Sequence, residues 1–459
     1  MSATPNTIQQ KGLLFLNMFP TDLFFVYLLF LVLPFSRRIY LLGVGINPFY
    51  FIGLIGLCLF LLRRVFSDQK LIPEHPLFPY VAMVVVVLFV SILQSRFIPE
   101  NAHIIRDSLL NYPFIRSFLR VIFLTSLMGI SVYIFSTLTT KEKLEKAINF
   151  LLYSTTIVCL LLLVAYFLKV FLADITFLNP FLTIHFERGI RINGFFTEPG
   201  ILAAFLLVTL PLTVTMCWLT SQKRYILMLL IQTIVFVLTF SRGAFLALFF
   251  GVILTLFLFV YRKMPKHFFK HYSLTKKKIF IFFSLLFMVL FLLGFFAVAS
   301  QPFIAQNPQT SWSLKNRIFT TEYALEAFSD HPFMGVGYGN FIFHTGLIYN
   351  KDLYHKPFAP YPDVNNLFLQ PFVETGIIGA FFFLLLFCTL SSQLMKSIFS
   401  SNTFVSTLSW SVFFTFVSLL LLTQFFTLNH FLFPWMWGGI FLRSVYFEYI
   451  ESDNSRKNT

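Results

Sequence analysis

Five arginines lie close to the ends of long apolar segments, where their positive charges could bind a shared anion. A guanidinium group presents its N–H donors in a planar fork that pairs with two phosphate or carboxylate oxygens at once. Any one of these arginines is equally well explained as a side chain reaching the headgroups of a bilayer. Taken together they favour an anionic partner, and the set is Arg116, Arg120, Arg191, Arg242 and Arg317.

The other candidate groups lie mainly in one long polar interval, Ser311 to Gly379, of an otherwise apolar chain. Loops of this length are usually functional or disordered. Because this one contains aromatic residues and glycines at turn spacing, we interpret it as folded and functional. Groups that could accept a proton or orient a hydroxyl are Glu198, His331, His355, Asp363, Asn365, Asn366 and Glu374. His331, which precedes a proline, is better explained as a loop-structure residue, and carboxylates at helix starts also suit the helix dipole.

Two local patterns organise this interval. Apolar residues recur at helical spacing from Leu314 to Phe328, which predicts a helix ending at His331 and Pro332. The following Gly335-Val-Gly-Tyr-Gly339 run predicts a turn that allows close backbone approach. As a phosphate-binding fingerprint it is weak, because no strand and helix flank it.

The composition is typical of a polytopic membrane protein. Of the 459 residues, 57% are hydrophobic and only 12% are charged. The net charge of +15 does not indicate nucleic acid, because cytoplasmic loops of membrane proteins collect lysine and arginine. The four cysteines lie inside apolar stretches without metal-ligand spacing, so we expect neither a metal site nor a cofactor.

We predict an all-α fold with about twelve transmembrane helices, since about 20 apolar residues cross a bilayer. The predicted spans are 21–36, 47–62, 77–94, 115–137, 147–171, 198–219, 224–240, 243–261, 279–299, 377–395, 403–427 and 430–448. A tight turn is expected at Phe240–Gly243, because an arginine inside the membrane would be expensive.

The distribution of positive charge predicts the orientation of these helices. The most basic segment, Arg262 to Lys278, belongs inside the cell, which places both chain termini in the cytoplasm. The chain then divides into helices 1–9 over 1–299, a large periplasmic loop with helices over 300–376, and helices 10–12 with a cytoplasmic tail over 377–459. All five arginines fall on the outer side, where charge sorting does not favour them.

Several short motifs on this outer side resemble one known family. They are Arg191-Ile-Asn-Gly-Phe-Phe-Thr-Glu198-Pro-Gly, Ser241-Arg242-Gly-Ala, His331-Pro-Phe-Met-Gly-Val-Gly-Tyr-Gly-Asn340, and Asn365-Asn366 followed by Glu374-Thr-Gly376-Ile-Ile-Gly379. In this order they resemble the O-antigen ligase and O-antigen polymerase superfamily of the bacterial inner membrane. The resemblance extends from about residue 185 to 380 and elsewhere rests on span count and loop placement.

The resemblance implies a metal-independent membrane glycosyltransferase of the GT-C type, with its active site facing the periplasm. Its donor would be a glycan on undecaprenyl pyrophosphate, and an acceptor hydroxyl would attack C1 as the lipid pyrophosphate leaves. Arg191 and Arg242 match the pyrophosphate-binding arginines best, Arg317 follows, and Arg116 with Arg120 is more speculative. The partners implied are the lipid-linked glycan, the bilayer, a chain-length regulator and a flippase.

The chain departs from the ligase pattern at Asn365. Related ligases have a histidine at this position. In their pattern one more residue follows it, then nine residues, and then Gly-x-x-Gly, which is Gly376 to Gly379 in this chain. Asparagine orients a hydroxyl but does not accept its proton at neutral pH. The departure favours polymerisation of O-antigen, capsule or exopolysaccharide units, and it leaves the general base open among His355, Asp363, Glu374, His331 and Glu198.

Two alternatives remain. A ligase would use the same chemistry with lipid A core or a protein as the acceptor. A flippase or transporter of lipid-linked sugars would need no bond chemistry. Twelve spans suit a transporter, but transporters often have repeated halves, and the chain shows a single large loop without an internal repeat.

Overall fold

The computed structural model describes most of the apolar chain as helix. The described residues are 21–34, 39–41, 44–46, 48–67, 77–97, 112–172, 182–185, 189–196, 198–261, 320–348, 364, 366, 368–423, 434, 437–440, 442–443 and 446. The predicted sites Arg317, His355, Asp363 and Asn365 lie outside these residues, as does the predicted ninth span.

Eight helices precede the long polar interval. They are α1 (Asp22–Val32), α2 (Pro48–Phe66), α3 (Phe78–Ser91), α4 (Pro113–Thr137), α5 (Lys141–Leu172), α6 (Pro199–Thr220), α7 (Lys223–Leu238) and α8 (Arg242–Tyr261). A 3₁₀ turn, Ile92–Phe97, continues α3. Four more helices are described after these, of which α9 (320–330) and α10 (Phe341–Ile348) lie inside the polar interval, α11 (Leu369–Ile398) begins in it, and α12 (Thr403–Leu422) follows it. Residues 437–440 and 442–443 are helical as well.

The prediction of a purely α-helical fold was wrong in one respect. Two antiparallel hairpins occur, β1 (Ile39–Leu41) with β2 (Val44–Ile46), and β3 (Leu182–His185) with β4 (Gly189–Ile192). Strands of three or four residues are too short to give a period-two pattern in sequence. The second hairpin matters for the site because it carries Arg191, paired with Thr183.

Six of the described helices are long and apolar enough to cross a membrane, which agrees with a polytopic membrane protein. They are Phe78–Arg96, Pro113–Thr137, Lys141–Phe171, Pro199–Thr220, Leu369–Ile398 and Thr403–Leu422. Asp22–Val32 and Arg242–Thr255 are shorter apolar helices. Helical residues are described in every predicted span except 279–299, and the count of twelve stays a prediction.

Long-range contacts sort the helix ends into two groups. At one end, Arg63 of α2 contacts Asp22 of α1, and Arg443 donates to the carbonyl of Thr139. At the same end, the ammonium group of Lys141 lies 4.7 Å from the ring of Phe404, at the start of α12. These residues begin or end helices that the charge pattern places at the cytoplasmic side.

The second group of contacts joins the opposite helix ends. Arg191 of β4 binds the turn between α7 and α8, and Arg116 of α4 binds the glycine-rich segment after α9. Asn340 reaches Ser95, just beyond α3. Every contact in the two groups agrees with the alternation of helices that the sequence predicts. We call the end of the molecule that contains the second group of contacts the outer end.

A buried polar network ties three helices together between the two ends. Gln232 of α7 is fully buried, accepts a hydrogen bond from Thr213 of α6 at 3.1 Å, and donates to Thr156 of α5 at 3.2 Å. Such bonds hold membrane helices together where apolar packing alone gives little preference over lipid. The network thereby holds in register α5 and α7, the two helices that contact β4, the strand that carries Arg191.

The two ends should differ in access from outside the cell. In a background with the exposed Cys58 and Cys388 replaced by alanine, we expect Glu322→Cys to react with a membrane-impermeant maleimide on intact cells. Glu142→Cys, exposed at the opposite end, should react only after the cells are permeabilised. The reverse labelling pattern would contradict the orientation and the outer placement of the site.

Candidate functional site

Helix α11 is interrupted at Gly376, near the end of the polar interval, where the apolar part of the helix begins. Gly376 has φ 67° and ψ −170°, a conformation that is essentially restricted to glycine. A continuous helix would bond the amides of Ile377 and Ile378 to the carbonyls of Val373 and Glu374. The interruption frees these four backbone groups, which must find partners because an unsatisfied group costs several kcal/mol in a membrane.

The segment after α9 supplies all four partners. The amides of Val336 and Gly337 donate to the carbonyls of Val373 and Glu374 at 2.9 and 3.0 Å. The amides of Ile377 and Ile378 donate to the carbonyls of Pro332 and Phe333 at 2.8 and 3.4 Å, the second being long. We call these four hydrogen bonds the interlock. They join two sequence motifs about forty residues apart.

Glycine makes this close approach possible on both sides. A Cβ on Gly335 would lie 2.5 Å from the carbonyl carbon of Glu374, and one on Gly376 would collide with the carbonyl of Phe333. Gly335, Gly337 and Gly339 all have positive φ values. The prediction of a turn with close backbone approach is confirmed, and α9 ends at residue 330, directly before His331 and Pro332.

The glycine-rich turn is held in place by α3 and α4. Arg116 is buried, and its Nε donates to the carbonyl of Gly339 at 2.8 Å. Arg120, one helical turn later, packs against the same glycine, where a Cβ would meet its Cδ. The buried Asn340 donates to the hydroxyl of Ser95 at 3.0 Å. The structure therefore places the predicted pair Arg116 and Arg120 against the loop motif.

Arg191 contacts the turn between α7 and α8, which leads directly into Arg242. Arg191 donates from Nε to the carbonyl of Thr239 at 2.9 Å and from Nη2 to that of Phe240 at 3.1 Å. Arg242 follows two residues later, half-buried, as the first residue of α8. The tight turn predicted here is confirmed, with Phe240 in the left-handed region at φ 46°. A helix N-terminus beside two guanidinium groups favours an anion.

Glu374 is fully buried just before the break in α11. Its Oε2 accepts a hydrogen bond from the side chain of Gln370 at 3.0 Å, and its backbone carbonyl belongs to the interlock. Ionisable groups buried within membrane helices are expensive and are usually retained for function. Glu374 is therefore the strongest candidate base among the described residues.

Asn366 caps the start of α11. Its Oδ1 accepts hydrogen bonds from the amides of Phe368 and Leu369, each at 3.0 Å, and its carbonyl accepts from Gln370. This is the usual role of asparagine at a helix N-terminus. The neighbouring Asn365, outside the described residues, is therefore not needed as the cap.

The remaining candidates are less enclosed. Glu198 is exposed at the start of α6, where its side chain makes no capping hydrogen bond. His331 is exposed, and its backbone carbonyl accepts the amide of Gly335 at 3.0 Å, which fits the loop-structure role predicted for it. No cluster of three His, Cys, Asp or Glu side chains able to hold a metal ion occurs among the described residues.

His344 is a group that the sequence did not single out as a site. It lies on α10, its Nε2 is 3.9 Å from Oδ2 of Asp330, and its ring centroid is 6.4 Å from that of His331. Burial lowers the pKa of His344, Asp330 opposes this shift, and the charge of His331 adds to it. Only folding brings α9 and α10 together, so spacing alone could not have identified this pair.

The comparisons with known proteins identify the same region. Residues 227–384 match the family model described as O-antigen ligase, which confirms the resemblance to the O-antigen ligase and polymerase superfamily. The matched segment contains Arg242, the glycine-rich turn and the interlock, whereas Arg191 and the pair Arg116 and Arg120 lie outside it. No match was found among curated proteins. The family implies lipid-linked glycan substrates, a membrane environment and a general role in glycan processing.

Substitution of Gly376 should loosen the interlock between α11 and the segment after α9. Gly376→Ala introduces a Cβ against the carbonyl of Phe333 at a backbone conformation that alanine avoids. We expect faster proteolysis of the 331–340 segment in the purified protein, because the interlock loosens. Ile377→Ala, which truncates an exposed side chain at the same turn, is the matched control. Equal protease resistance of both variants would show that the interlock does not depend on this glycine.

Proposed function

We propose that this protein polymerises undecaprenyl-pyrophosphate-linked oligosaccharide repeat units at the periplasmic face of the bacterial inner membrane. The bond between C1 of the donor sugar and the pyrophosphate oxygen breaks, and a bond from the acceptor oxygen to C1 forms. The hydroxyl proton passes to a base, and undecaprenyl pyrophosphate leaves with the electron pair of the broken bond. The product is a surface polysaccharide of the O-antigen, capsule or exopolysaccharide type, and a flippase and a chain-length regulator would act alongside.

The observation that carries this proposal is the meeting of Arg191 with the turn that begins α8. Negative charge develops on the pyrophosphate as it leaves, and prearranged guanidinium groups stabilise such charge without reorganising. Arg191 is fixed by two backbone carbonyls, and Arg242 stands at the positive end of the α8 dipole. Both features support a donor pyrophosphate site at this turn, with Arg317 as a further expected ligand.

Glu374 and Asn365 would act on the acceptor. Glu374 is the proton acceptor favoured by its complete burial beside Gln370. Asn365 directly precedes the cap of the same helix, and we assign it the orientation of the acceptor hydroxyl. His355 and Asp363, outside the described residues, are the alternative bases that the sequence offers.

A ligase is the second candidate, because the matching family is described as O-antigen ligase. The same arginines would then serve, with lipid A core or a protein as the acceptor. Asn365, where related ligases have histidine, favours polymerisation. The purified protein with a single lipid-linked repeat unit should yield a ladder of longer chains. Product only when lipid A core is added would establish the ligase instead.

Loss of either donor arginine should stop chain growth. In the polymerisation assay, Arg191→Ala and Arg242→Ala should each lower the rate by about a hundredfold or more, as removal of one transition-state donor does elsewhere. Lysine at position 242 should restore activity only in part, because an ammonium group lacks the planar fork. Arg191→Lys should do so less well, since it loses its two backbone contacts.

Arg224→Ala is the matched control for these variants. Arg224 lies exposed at the opposite end of α7, where it stacks on Tyr225. It should retain full activity at equal expression. Full activity of both alanine variants at positions 191 and 242 would refute the pyrophosphate site.

The acceptor groups should respond differently to substitution. Asn365→Ala should lower the rate by roughly a hundred- to a thousandfold, or about 2.7–4 kcal/mol, through loss of a hydrogen bond to the acceptor. Asn365→His should retain part of the activity, because imidazole also forms hydrogen bonds. Glu374→Gln keeps the shape but cannot accept a proton, so activity should be lost in a stably inserted protein. A wild-type rate and chain length for Asn365→Ser would leave this residue without a role in the reaction.

A further inference from the structure

One face of α4 carries two arginines near its start and lines an apolar cavity further along the helix. Arg116, Arg120, Leu124 and Met128 follow one another at four-residue spacing and so lie on one face of the helix. The first two meet the glycine-rich turn at the outer end, and the last two line the cavity. At 1.5 Å per residue, Arg116 and Leu124 are about 12 Å apart along the axis.

The cavity has a volume of about 240 Å³ and lies between helices of the bundle. Its walls come from α3, α4, α11, α12 and the helical residues Pro434, Trp437, Gly438 and Leu442, and they are almost entirely apolar. From Leu124 to Val132 of α4 it extends about 12 Å along the helix axis. An apolar, elongated space between membrane helices suits a hydrocarbon chain.

Two of the polar residues that line the cavity lie at its outer end. Tyr338 and Gln370 line it there, and Gln370 is hydrogen-bonded to Glu374. Gly339, the neighbour of Tyr338, contacts both Arg116 and Arg120. Two guanidinium groups, the candidate base and the apolar space are thus adjacent in one part of the molecule.

We propose that this face of α4 and the cavity bind the second lipid-linked substrate, the acceptor repeat unit on its polyprenyl pyrophosphate. Arg120, with Arg116 behind it, would meet the phosphates, and the first isoprenoid units would occupy the cavity. This rests on the proposed polymerase function, because polymerisation needs two polyprenyl-linked substrates at once. The acceptor sugar would then emerge beside Glu374.

The arrangement of helices separates this site from the donor arginines. Among the described residues, those lining the cavity include none from β4, α6, α7 or α8, the elements that hold Arg191 and Arg242. Helix α12 packs against α6 and α8 on one side and against α11 on the other, and so stands between the two sites. Two lipids could therefore be held at the same time.

The number of bound lipids tests this proposal. Native mass spectrometry of the full-length protein with undecaprenyl pyrophosphate should detect two lipids per chain. Gly438→Leu should reduce this to one, because among the described residues a Cβ there meets only Ser131 Oγ, at 3.6 Å, and the added side chain fills the cavity. Leu386→Trp fills it from α11 and should give the same result if the first variant folds poorly.

Two further variants control for charge and bulk. Leu384→Trp makes the same change as Leu386→Trp on the exposed face of α11, outside the cavity lining, and should leave two lipids bound. Arg120→Ala should weaken the second lipid by about tenfold, the usual cost of one charge-assisted hydrogen bond. An excess of phosphatidylglycerol should not displace either lipid.

The outcomes separate this inference from the donor site. One bound lipid in the wild-type protein, or two in both cavity variants, would overturn the acceptor site. Loss of a bound lipid in Arg242→Ala would still support the donor site. Displacement by phosphatidylglycerol would overturn it too, because the cavity would then hold a bilayer lipid. Two lipids in Arg242→Ala with one in Gly438→Leu would support the cavity site and count against the proposed donor site.

Discussion

The interlock between the broken helix and the glycine-rich segment is the interaction on which the outer end of the protein depends. A helix that stops at Gly376 leaves two amides and two carbonyls without intrahelical partners, and a buried backbone group without a partner is costly. Backbone groups of Pro332, Phe333, Val336 and Gly337 satisfy all four. Because each segment supplies the backbone partners of the other, the segment after α9 and the start of α11 form one structural unit.

This unit determines where the functional groups stand. The interlock fixes the carbonyl of Glu374 and so the buried carboxylate, while the same turn continues into Gly339, which Arg116 and Arg120 contact. On the other flank, Arg191 donates to the backbone carbonyls of Thr239 and Phe240, which fixes its guanidinium group against the turn before α8.

The two clusters of arginine divide the outer end into two parts. One is built from β4 and the α7–α8 turn, the other from α3, α4 and the segment after α9, with α12 between the helices that carry them. A transferase that joins two large lipid-linked molecules must hold both with their reacting atoms in contact, because orientation supplies much of the rate enhancement. The hydrogen bonds of Gln232 tie α5, α6 and α7 together in one part, and the interlock ties the segment after α9 to α11 in the other.

The sequence by itself determined the membrane class, the helix positions, the tight turn at Phe240 and the turn at Gly335 to Gly339, because apolar runs and glycines act locally. It also identified every arginine of the two clusters. Only the tertiary structure decided that Arg116 reaches Gly339 across 223 residues and that α11 breaks at Gly376. A glycine in an apolar run does not reveal whether the helix continues, since that depends on partners for the freed backbone groups. The short hairpin that carries Arg191 was missed because its strands are too short to give a period-two pattern. The pair His344 and Asp330 was missed because only folding brings α9 and α10 together.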